Sequence, residues 1–438
     1  MKYLDKHFFN LAFGVFAKLF SGVKLALLGI IVASYLGPTE FGIYSYVVSL
    51  VTLLTALAEF RLQNILIRDF SEDKVKKEVL LGSSLRICLF FATLGYILLS
   101  LIVWVLNDEL IVKGFILIYG TSYFFQIFRF LRAYFISRLL NKLIIRAEII
   151  TIIIILLFAV AFIYLELTIE YFLILRVFDF FLFSAILILI YSVSEGSIFR
   201  WRDNKEVRIR LIKDSVPLVL SSIAVVIFNR VDQVMIKHLI DDYAVGQYSA
   251  AVSITGIIAF IPIVLSESIT PTLIARRKLK IEYYEISKQA FSNVIIWGSL
   301  ILSLIVMLLS PVIIHILYGA EFTPAIEVMK IFAFKGLFVA MGAVAAQIMI
   351  IESVHQLAYI KSLAGGVVNI ILNYILLVNI GMIGAVWASL IAFFISSYFI
   401  HLFIRRYKYI FWIQTKSLFF GWLYLIQDLK ILANKKLI

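Results

Sequence analysis

The sequence has few of the residues from which catalytic, metal-binding or disulfide-linked sites are built. Its 438 residues include one cysteine, Cys88, and five scattered histidines that form no ligand pair. A disulfide framework and a thiolate metal site are therefore excluded, and neither a metal nor a cofactor is predicted. A Walker A loop, a nucleophile elbow and an H-E-x-x-H zinc motif are also missing, so the chain contains no ATP-driven motor.

Charged residues are scarce as well. They make up 15% of the chain, whereas 63% of it is hydrophobic and the mean hydropathy is +1.03. Apolar runs of 18 or more residues indicate membrane-spanning helices, because about 20 residues cross the roughly 30 Å hydrocarbon core. Strand-like alternation is absent, which excludes a β-barrel. We therefore predict an all-α polytopic membrane protein with no appended soluble domain.

Turn residues divide the apolar sequence into twelve predicted transmembrane helices. Gly37-Pro38, Asn107-Asp108, Gly319 and Gly381 interrupt the helical pattern as turn residues do. The predicted helices cover residues 10–36, 41–58, 83–106, 110–128, 143–165, 168–194, 214–240, 246–266, 291–318, 325–350, 357–378 and 381–404.

The loops between these helices alternate in charge. One set is rich in lysine and arginine, as in 195–213 and 276–288, and the opposite set carries mainly acids such as Glu40, Asp108 and Asp241. Basic loops stay in the cytoplasm, so we predict a multi-pass membrane protein with both termini cytoplasmic. The basic loops account for most of the net charge of +13, and no nucleic-acid partner is expected.

The chain also contains an internal repeat. The pattern G-x-Y-S-x-x-V-S occurs at 42–49, at the start of the second helix, and again at 246–253, at the start of the eighth. This spacing predicts two six-helix lobes in the same orientation, as in transporters built from parallel repeats. The predicted parts are an N-terminal lobe 1–194, a cytoplasmic basic linker 195–213, a C-terminal lobe 214–404 and a basic cytoplasmic tail 405–438. Within the tail, 417–432 predicts an interfacial amphipathic helix, with a frayed segment as the alternative.

Polar residues inside the seventh helix are the strongest functional signal. Arg230 lies about ten residues from the outer end, or about 15 Å deep, and Asn229 and Gln233 share its face. A cation at this depth is costly unless it faces a wet cavity or a partner. The face is therefore either a cavity wall or a structural cluster of Arg230 with Asp232. Two residues that are two positions apart on a helix point apart, which counts against a self-contained pair.

Three lysines also lie inside other predicted helices, and each of them must likewise face a wet cavity or a partner. Lys24 lies near the middle of the first helix, and the repeat places it about one turn from the position equivalent to Arg230. A cation at mid-depth in each lobe would allow a site between the lobes to hold phosphate or pyrophosphate. Lys18 is closer to the cytoplasmic end and could snorkel. Lys335, about ten residues into its helix, fits a cavity role and a structural role equally well.

The remaining intramembrane polar residues have plainer explanations. Arg176 and Asp179 are spaced for an ion pair within one helix, and Asn369 and Asn373 are predicted to bond neighbouring helices. Arginines 86, 129 and 132 are expected to snorkel to the headgroups. Asp179 and Asp232 are the two candidates for a coupling group that binds a proton or a sodium ion.

Three passages resemble a known family. Residues 33–45 read A-S-Y-L-G-P-T-E-F-G-I-Y-S, and two further passages, 62–68 and 229–233 followed by 245–251, fit the same family. They resemble Wzx-type flippases of lipid-linked O-antigen and capsule repeat units, in the superfamily that also holds MATE exporters and lipid II flippases. Ser34 stands where that family typically has arginine, which leaves the exact substrate open.

The resemblance implies a V-shaped bundle of two lobes around a cationic cavity. It implies export of an undecaprenyl-pyrophosphate-linked oligosaccharide from the cytoplasmic to the periplasmic leaflet of the bacterial inner membrane by alternating access, with H⁺ or Na⁺ as coupling ion. Lys24, Arg230 and Lys335 would hold the pyrophosphate, Asn229 and Gln233 would line the cavity, and Lys18 would lie near its entrance. Membrane lipids and other polysaccharide assembly proteins are the further expected partners.

Two other functions are weighed against this one. A MATE-like antiporter of small molecules usually takes cationic substrates and would favour lone acids, whereas cations outnumber acids in these helices. A polysaccharide polymerase or ligase would need a sizeable outer loop, and the outer loops have only a few residues. The protein is therefore predicted not to be an enzyme.

Overall fold

The computed structural model describes the backbone of residues 2–354 and 357–433, and the side chains of residues 24, 27–354, 357 and 359–432. All regular elements in this part of the chain are helical. The first half contains α1 (Lys2–Ala58), α2 (Gln63–Glu72), α3 (Lys77–Val105), α4 (Leu110–Gly120), α5 (Ser122–Gln126), α6 (Leu131–Ser137), α7 (Asn141–Tyr164), α8 (Ile169–Ser194) and α9 (Lys205–Leu239).

The second half continues the same all-helical pattern. It contains α10 (Asp242–Leu279), α11 (Ile281–Tyr318), α12 (Ala325–Phe332), α13 (Lys335–Ile351), α14 (Ala358–Ile380), α15 (Met382–Phe394), α16 (Ile400–Phe403), α17 (Lys408–Phe420) and α18 (Leu425–Ala433). A π-helical segment, Ile395–Phe399, joins α15 to α16.

Eleven helical segments of the described chain are long and apolar enough to cross a membrane. The first of them, Leu27–Glu72, contains the end of the predicted helix 10–36 and all of 41–58. Gly37 separates the two with non-helical angles, φ 73° and ψ 175°, which glycine adopts without a steric penalty. The helix on each side of this kink counts separately, so the twelve predicted spans and the multi-pass membrane class are confirmed.

Several helices differ from the predicted ranges in length or continuity. α10 continues to Leu279, whereas the predicted span ends at 266. Hydropathy falls where charged side chains begin, but the backbone hydrogen bonds of the helix continue past them. The predicted helix 110–128 extends through α4 to α6 as far as Ser137, with a 3₁₀ turn at Ile127–Phe130. The predicted helix 325–350 is interrupted between α12 and α13.

The chain packs as two compact units, Met1–Val234 and Met235–Ile438. The division falls inside α9, beyond the predicted linker 195–213. In the second unit, a core of fully buried side chains joins α10, α11 and α13, and it includes Leu273, Phe291, Val344 and Ile348. The origin of the two units by duplication, with lobes at 1–194 and 214–404, stays a prediction.

The C-terminal tail forms two helices that pack on α11. The Gln289 amide donates to the Ser417 hydroxyl at 2.9 Å, and the Trp297 indole donates to the Ser417 carbonyl at 2.8 Å. Asn293 donates to Asp428 at 2.7 Å. The tail is therefore docked rather than frayed, and a 3₁₀ turn, Gly421–Tyr424, splits the single predicted helix into α17 and α18.

Candidate functional site

A buried ion pair joins α1 to α8 in the first unit. The Lys24 ammonium contacts the Asp179 carboxylate, and the two residues are 8% and 4% exposed. An unpaired charge in such a place would cost several kcal/mol, so each residue compensates the other. The expectation that Lys24 is an uncompensated cation is therefore wrong. Asp179 is bonded to Lys24 and not, as the i, i+3 spacing favoured, to Arg176.

Arg176 lies one turn before Asp179 on α8 and is also buried, at 7% exposed. Its guanidinium donates a hydrogen bond to the hydroxyl of Tyr119, on α4, and lies near the hydroxyl of Tyr44, on α1. Its Nε atom has no hydrogen-bond partner among the described residues. Arg176 is thus a buried cation whose nearest polar groups are mainly neutral phenols.

Arg230, on α9, extends this group. It is half-buried, and its electrostatic neighbours are Tyr119 and Arg176. No carboxylate in the described part of the chain forms an ion pair with it. Two guanidinium groups therefore lie close to one tyrosine hydroxyl. We call the six side chains of this group the Arg176 cluster, which comprises Lys24, Tyr44, Tyr119, Arg176, Asp179 and Arg230.

The rest of the predicted polar face on α9 divides into two environments. Gln233 is 3% exposed and accepts a hydrogen bond from the Ser49 hydroxyl, the last residue of the repeated motif in α1. Asn229 is exposed, and its amide donates to the Val225 carbonyl at 2.8 Å. Asp232 is 4% exposed and has interactions of its own. Gln233 thus anchors α9 to α1, while Asn229 and Arg230 are the accessible members of the face.

Lys335, a further predicted site lysine, lies among aromatic side chains. Lys335 belongs to the second unit, where its ammonium lies 4.9 Å from the ring centroids of both Phe332 and Phe393. These cation–π contacts stabilise a lysine in an apolar setting. Lys18 falls in the part of α1 whose side chains lie outside the described residues. Asn369, in the second unit, donates to Ser389 on the neighbouring helix α15 at 3.1 Å, as predicted.

Sequence reasoning missed the carboxylates that pair with the three arginines expected to reach the headgroups, of which Arg86 contacts Asp203 at 3.2 Å. Arg129 contacts Glu59 at 2.6 Å, and Arg132 contacts Glu148 at 3.0 Å. Glu148 is 4% exposed. The expectation that these arginines snorkel to headgroups is therefore wrong. The available signal was Glu148 itself, the one acid in the helix α7.

The Arg176 cluster carries three cations, Lys24, Arg176 and Arg230, and one anion, Asp179, which leaves a formal charge of +2. Such an excess suits an oxyanion, because guanidinium groups bind phosphate oxygens bidentately and tyrosine hydroxyls add further donors. In the described chain, no group of three or more histidine, cysteine or acidic residues is arranged to hold a metal ion.

The fold is shared with several solved membrane transporters. One is the lipid II flippase MurJ in an inward closed conformation, with a TM-score of 0.74, 16% identity, and 96% of each chain covered. Another is an inward-facing multidrug resistance MATE family transporter of the MOP superfamily, with a TM-score of 0.66, 14% identity, and 90% of this chain and 96% of that chain covered. A third is the MATE multidrug transporter DinF-BH, with a TM-score of 0.63, 14% identity, and 92% of this chain and 95% of that chain covered.

These similarities define the class as a polytopic membrane protein with the fold that these transporters share. Residues 7–274 match the model of a family described as polysaccharide biosynthesis protein. The match spans more than half of the chain, and the protein belongs to this family. No curated protein matches the sequence.

Proposed function

We propose that the protein is a flippase for undecaprenyl-pyrophosphate-linked oligosaccharides, the repeat units of O-antigen, capsule or exopolysaccharide. It would move them by alternating access from the cytoplasmic to the periplasmic leaflet of a bacterial inner membrane. The observation that carries the proposal is the position of Arg230, a half-buried cation beside Arg176 inside a membrane span. Membership of the polysaccharide biosynthesis family supports the glycan part of the substrate.

Within the Arg176 cluster, the cations differ in what they can do. Arg230 is the more exposed of the two arginines and would contact the pyrophosphate directly. Arg176 is buried and would contribute its positive potential together with the hydroxyls of Tyr44 and Tyr119. Such a preset cationic environment is effective because low-dielectric surroundings strengthen the attraction between charges.

The Lys24–Asp179 pair supplies a means of ion coupling. A proton or sodium ion that binds Asp179 would neutralise the carboxylate and leave the Lys24 ammonium without its partner. Lys24 would then add a third positive charge to those of Arg176 and Arg230. Substrate affinity would thus depend on the ionisation of Asp179. Asp232 is the second candidate coupling residue.

A MATE-like antiporter of small molecules is the alternative, because solved MATE structures share the fold. The formal charge of +2 in the Arg176 cluster favours an anionic substrate over a cationic one. We propose transport rather than enzymatic catalysis, since the cluster holds anion-binding cations and phenols rather than a nucleophile paired with a base.

The functions are separated by deleting the gene and analysing lipid-linked intermediates and drug susceptibility. A flippase deletion is expected to leave no repeat units at the cell surface and to accumulate the lipid-linked oligosaccharide on the cytoplasmic side. Single repeat units at the surface would indicate a polymerase instead. Normal surface polysaccharide with increased drug susceptibility would indicate an antiporter and overturn the proposal.

A further inference from the structure

The second unit contains an apolar groove with a single charged side chain. It is a cavity of about 410 Å³ between α11, α12, α13 and α15. Its walls are aliphatic and aromatic, and lysine supplies the one ionisable group. We call it the Trp387 groove, and the lining residues that matter here are Met307, Lys330, Phe334, Phe338, Trp387 and Phe394.

The break between α12 and α13 shapes the groove. At this point the backbone changes to shorter-range hydrogen bonds, in which Gly336 donates to the Ala333 carbonyl at 3.2 Å and Leu337 to the Phe334 carbonyl at 3.1 Å. Phe334 lies in this tighter turn and forms part of the wall. Phe338 and Phe394 pack edge to face, with 5.7 Å between their ring centroids, and both rings line the groove.

The polar end of the groove is formed by residue types that are common at a membrane interface. Lys330 is exposed on α12, five positions after the helix begins at Ala325. No carboxylate in the described chain forms an ion pair with Lys330. This includes Glu327, which lies one turn earlier on the same helix. Trp387 is 45% exposed. Tryptophan and lysine are the residues that anchor proteins at the level of lipid headgroups.

We propose that the Trp387 groove is a binding site for an anionic phospholipid. One acyl chain would lie along the aromatic wall, and the headgroup phosphate would bind the Lys330 ammonium. A groove between membrane-spanning helices is filled by hydrocarbon, since water in an apolar cavity finds no hydrogen-bond partners. An apolar helix of another protein would fill the walls but would leave Lys330 without a counter-charge. A zwitterionic lipid would gain less from Lys330 than an anionic one.

The test uses quenching of Trp387 fluorescence by brominated lipids. The full chain is reconstituted into phosphatidylcholine vesicles that contain brominated phosphatidylglycerol or, in the parallel sample, brominated phosphatidylcholine. The contribution of Trp387 is obtained as the difference between wild type and Trp387→Phe. We expect brominated phosphatidylglycerol to occupy the site about five-fold more strongly at equal mole fraction, the factor that one interfacial lysine contributes.

Two lysine variants decide the assignment. Lys330→Gln is expected to reduce the preference to about one, whereas Lys113→Gln, which removes a half-buried lysine near the start of α4 in the first unit, is expected to leave it unchanged. Equal quenching by both lipids in wild type, or a preference that survives in Lys330→Gln, would overturn the proposal. Absence of Trp387 quenching by either lipid would show that protein closes the groove and would overturn it as well. None of these outcomes depends on the proposed flippase activity.

Discussion

The Lys24 ammonium and the Asp179 carboxylate, 155 residues apart in the chain, form a buried ion pair that joins α1 to α8. This contact changes how the cations of the first unit are counted. While Asp179 is ionised, its negative charge balances the positive charge of Lys24. The net positive charge of the Arg176 cluster is then that of Arg176 and Arg230. The pair is both a structural tie and, in our proposal, the element through which a coupling ion acts.

Removal of one member of this pair is predicted to destabilise the first unit. Lys24→Met leaves the Asp179 carboxylate buried without its partner, at a cost of about 3–5 kcal/mol. The double variant Lys24→Met/Asp179→Leu removes both charges and should recover most of that loss. Thermal unfolding of the purified protein in detergent measures both effects. If the double variant loses as much stability as the two single variants together, the predicted coupling between Lys24 and Asp179 is wrong.

The Ser49–Gln233 hydrogen bond is predicted to hold α9 against α1. Ser49→Ala removes the donor and leaves the buried Gln233 oxygen without that bond, at a cost of about 1–3 kcal/mol. Ser253→Ala, the equivalent position of the second motif, is the matched control, because among the described residues the Ser253 hydroxyl bonds only to a carbonyl of its own helix. If the two variants unfold at the same temperature, the anchoring role is wrong.

Stability is predicted to depend on pH through Glu352, which follows the end of α13. Burial raises the pKa of Glu352, but hydrogen bonds from Tyr409 at 2.5 Å, Tyr284 at 2.8 Å and Lys288 at 3.1 Å outweigh burial and hold the pKa below its ordinary value. A depressed pKa stabilises the folded state above the unfolded pKa, about 4.5, and this contribution is lost as the pH falls through the folded value.

Glu352→Gln should therefore unfold at a lower temperature than wild type at pH 7, by about 2 kcal/mol in free energy. The difference should shrink steadily below about pH 4.5. Unfolding curves of both proteins recorded across the pH range test the sign of this pH dependence. A difference that is constant with pH, or that grows on acidification, would show that the carboxylate is not the stabilising form.

The C-terminal helix is predicted to depend on Arg276. This fully buried side chain, on α10, donates to the Ser287 hydroxyl at 2.7 Å and to the Ile431 carbonyl, at the end of α18, at 2.8 Å. Arg276→Met should release α18 and make the tail sensitive to protease. Arg277→Met is the adjacent control. A tail that stays protected in Arg276→Met would contradict this role.

The transmembrane spans could be predicted from the sequence because a membrane requires apolar segments, and hydropathy measures how apolar a segment is. Residues 41–58 or 291–318 read as helices without knowledge of any contact. The repeated motif pointed to Tyr44 and Ser49, but not to their partners Arg176 and Gln233. Local pattern carries no information about contacts such as Lys24–Asp179 or Arg132–Glu148, which depend on how distant helices pack. For the same reason, arginines that the structure pairs with acids were predicted to reach the headgroups.

Direct measurement of lipid flipping tests the central claim about Arg230. The full chain is reconstituted into vesicles with a fluorescent polyprenyl-pyrophosphate-oligosaccharide, and the fraction protected from an impermeant quencher is followed with time. Arg230→Ala is expected to slow flipping at least about ten-fold, the effect of losing roughly 1.4 kcal/mol of a charge-assisted contact, and Arg230→Lys should recover part of the rate. Arg200→Ala, outside the spans, should leave it unchanged. A wild-type rate in Arg230→Ala would contradict the account.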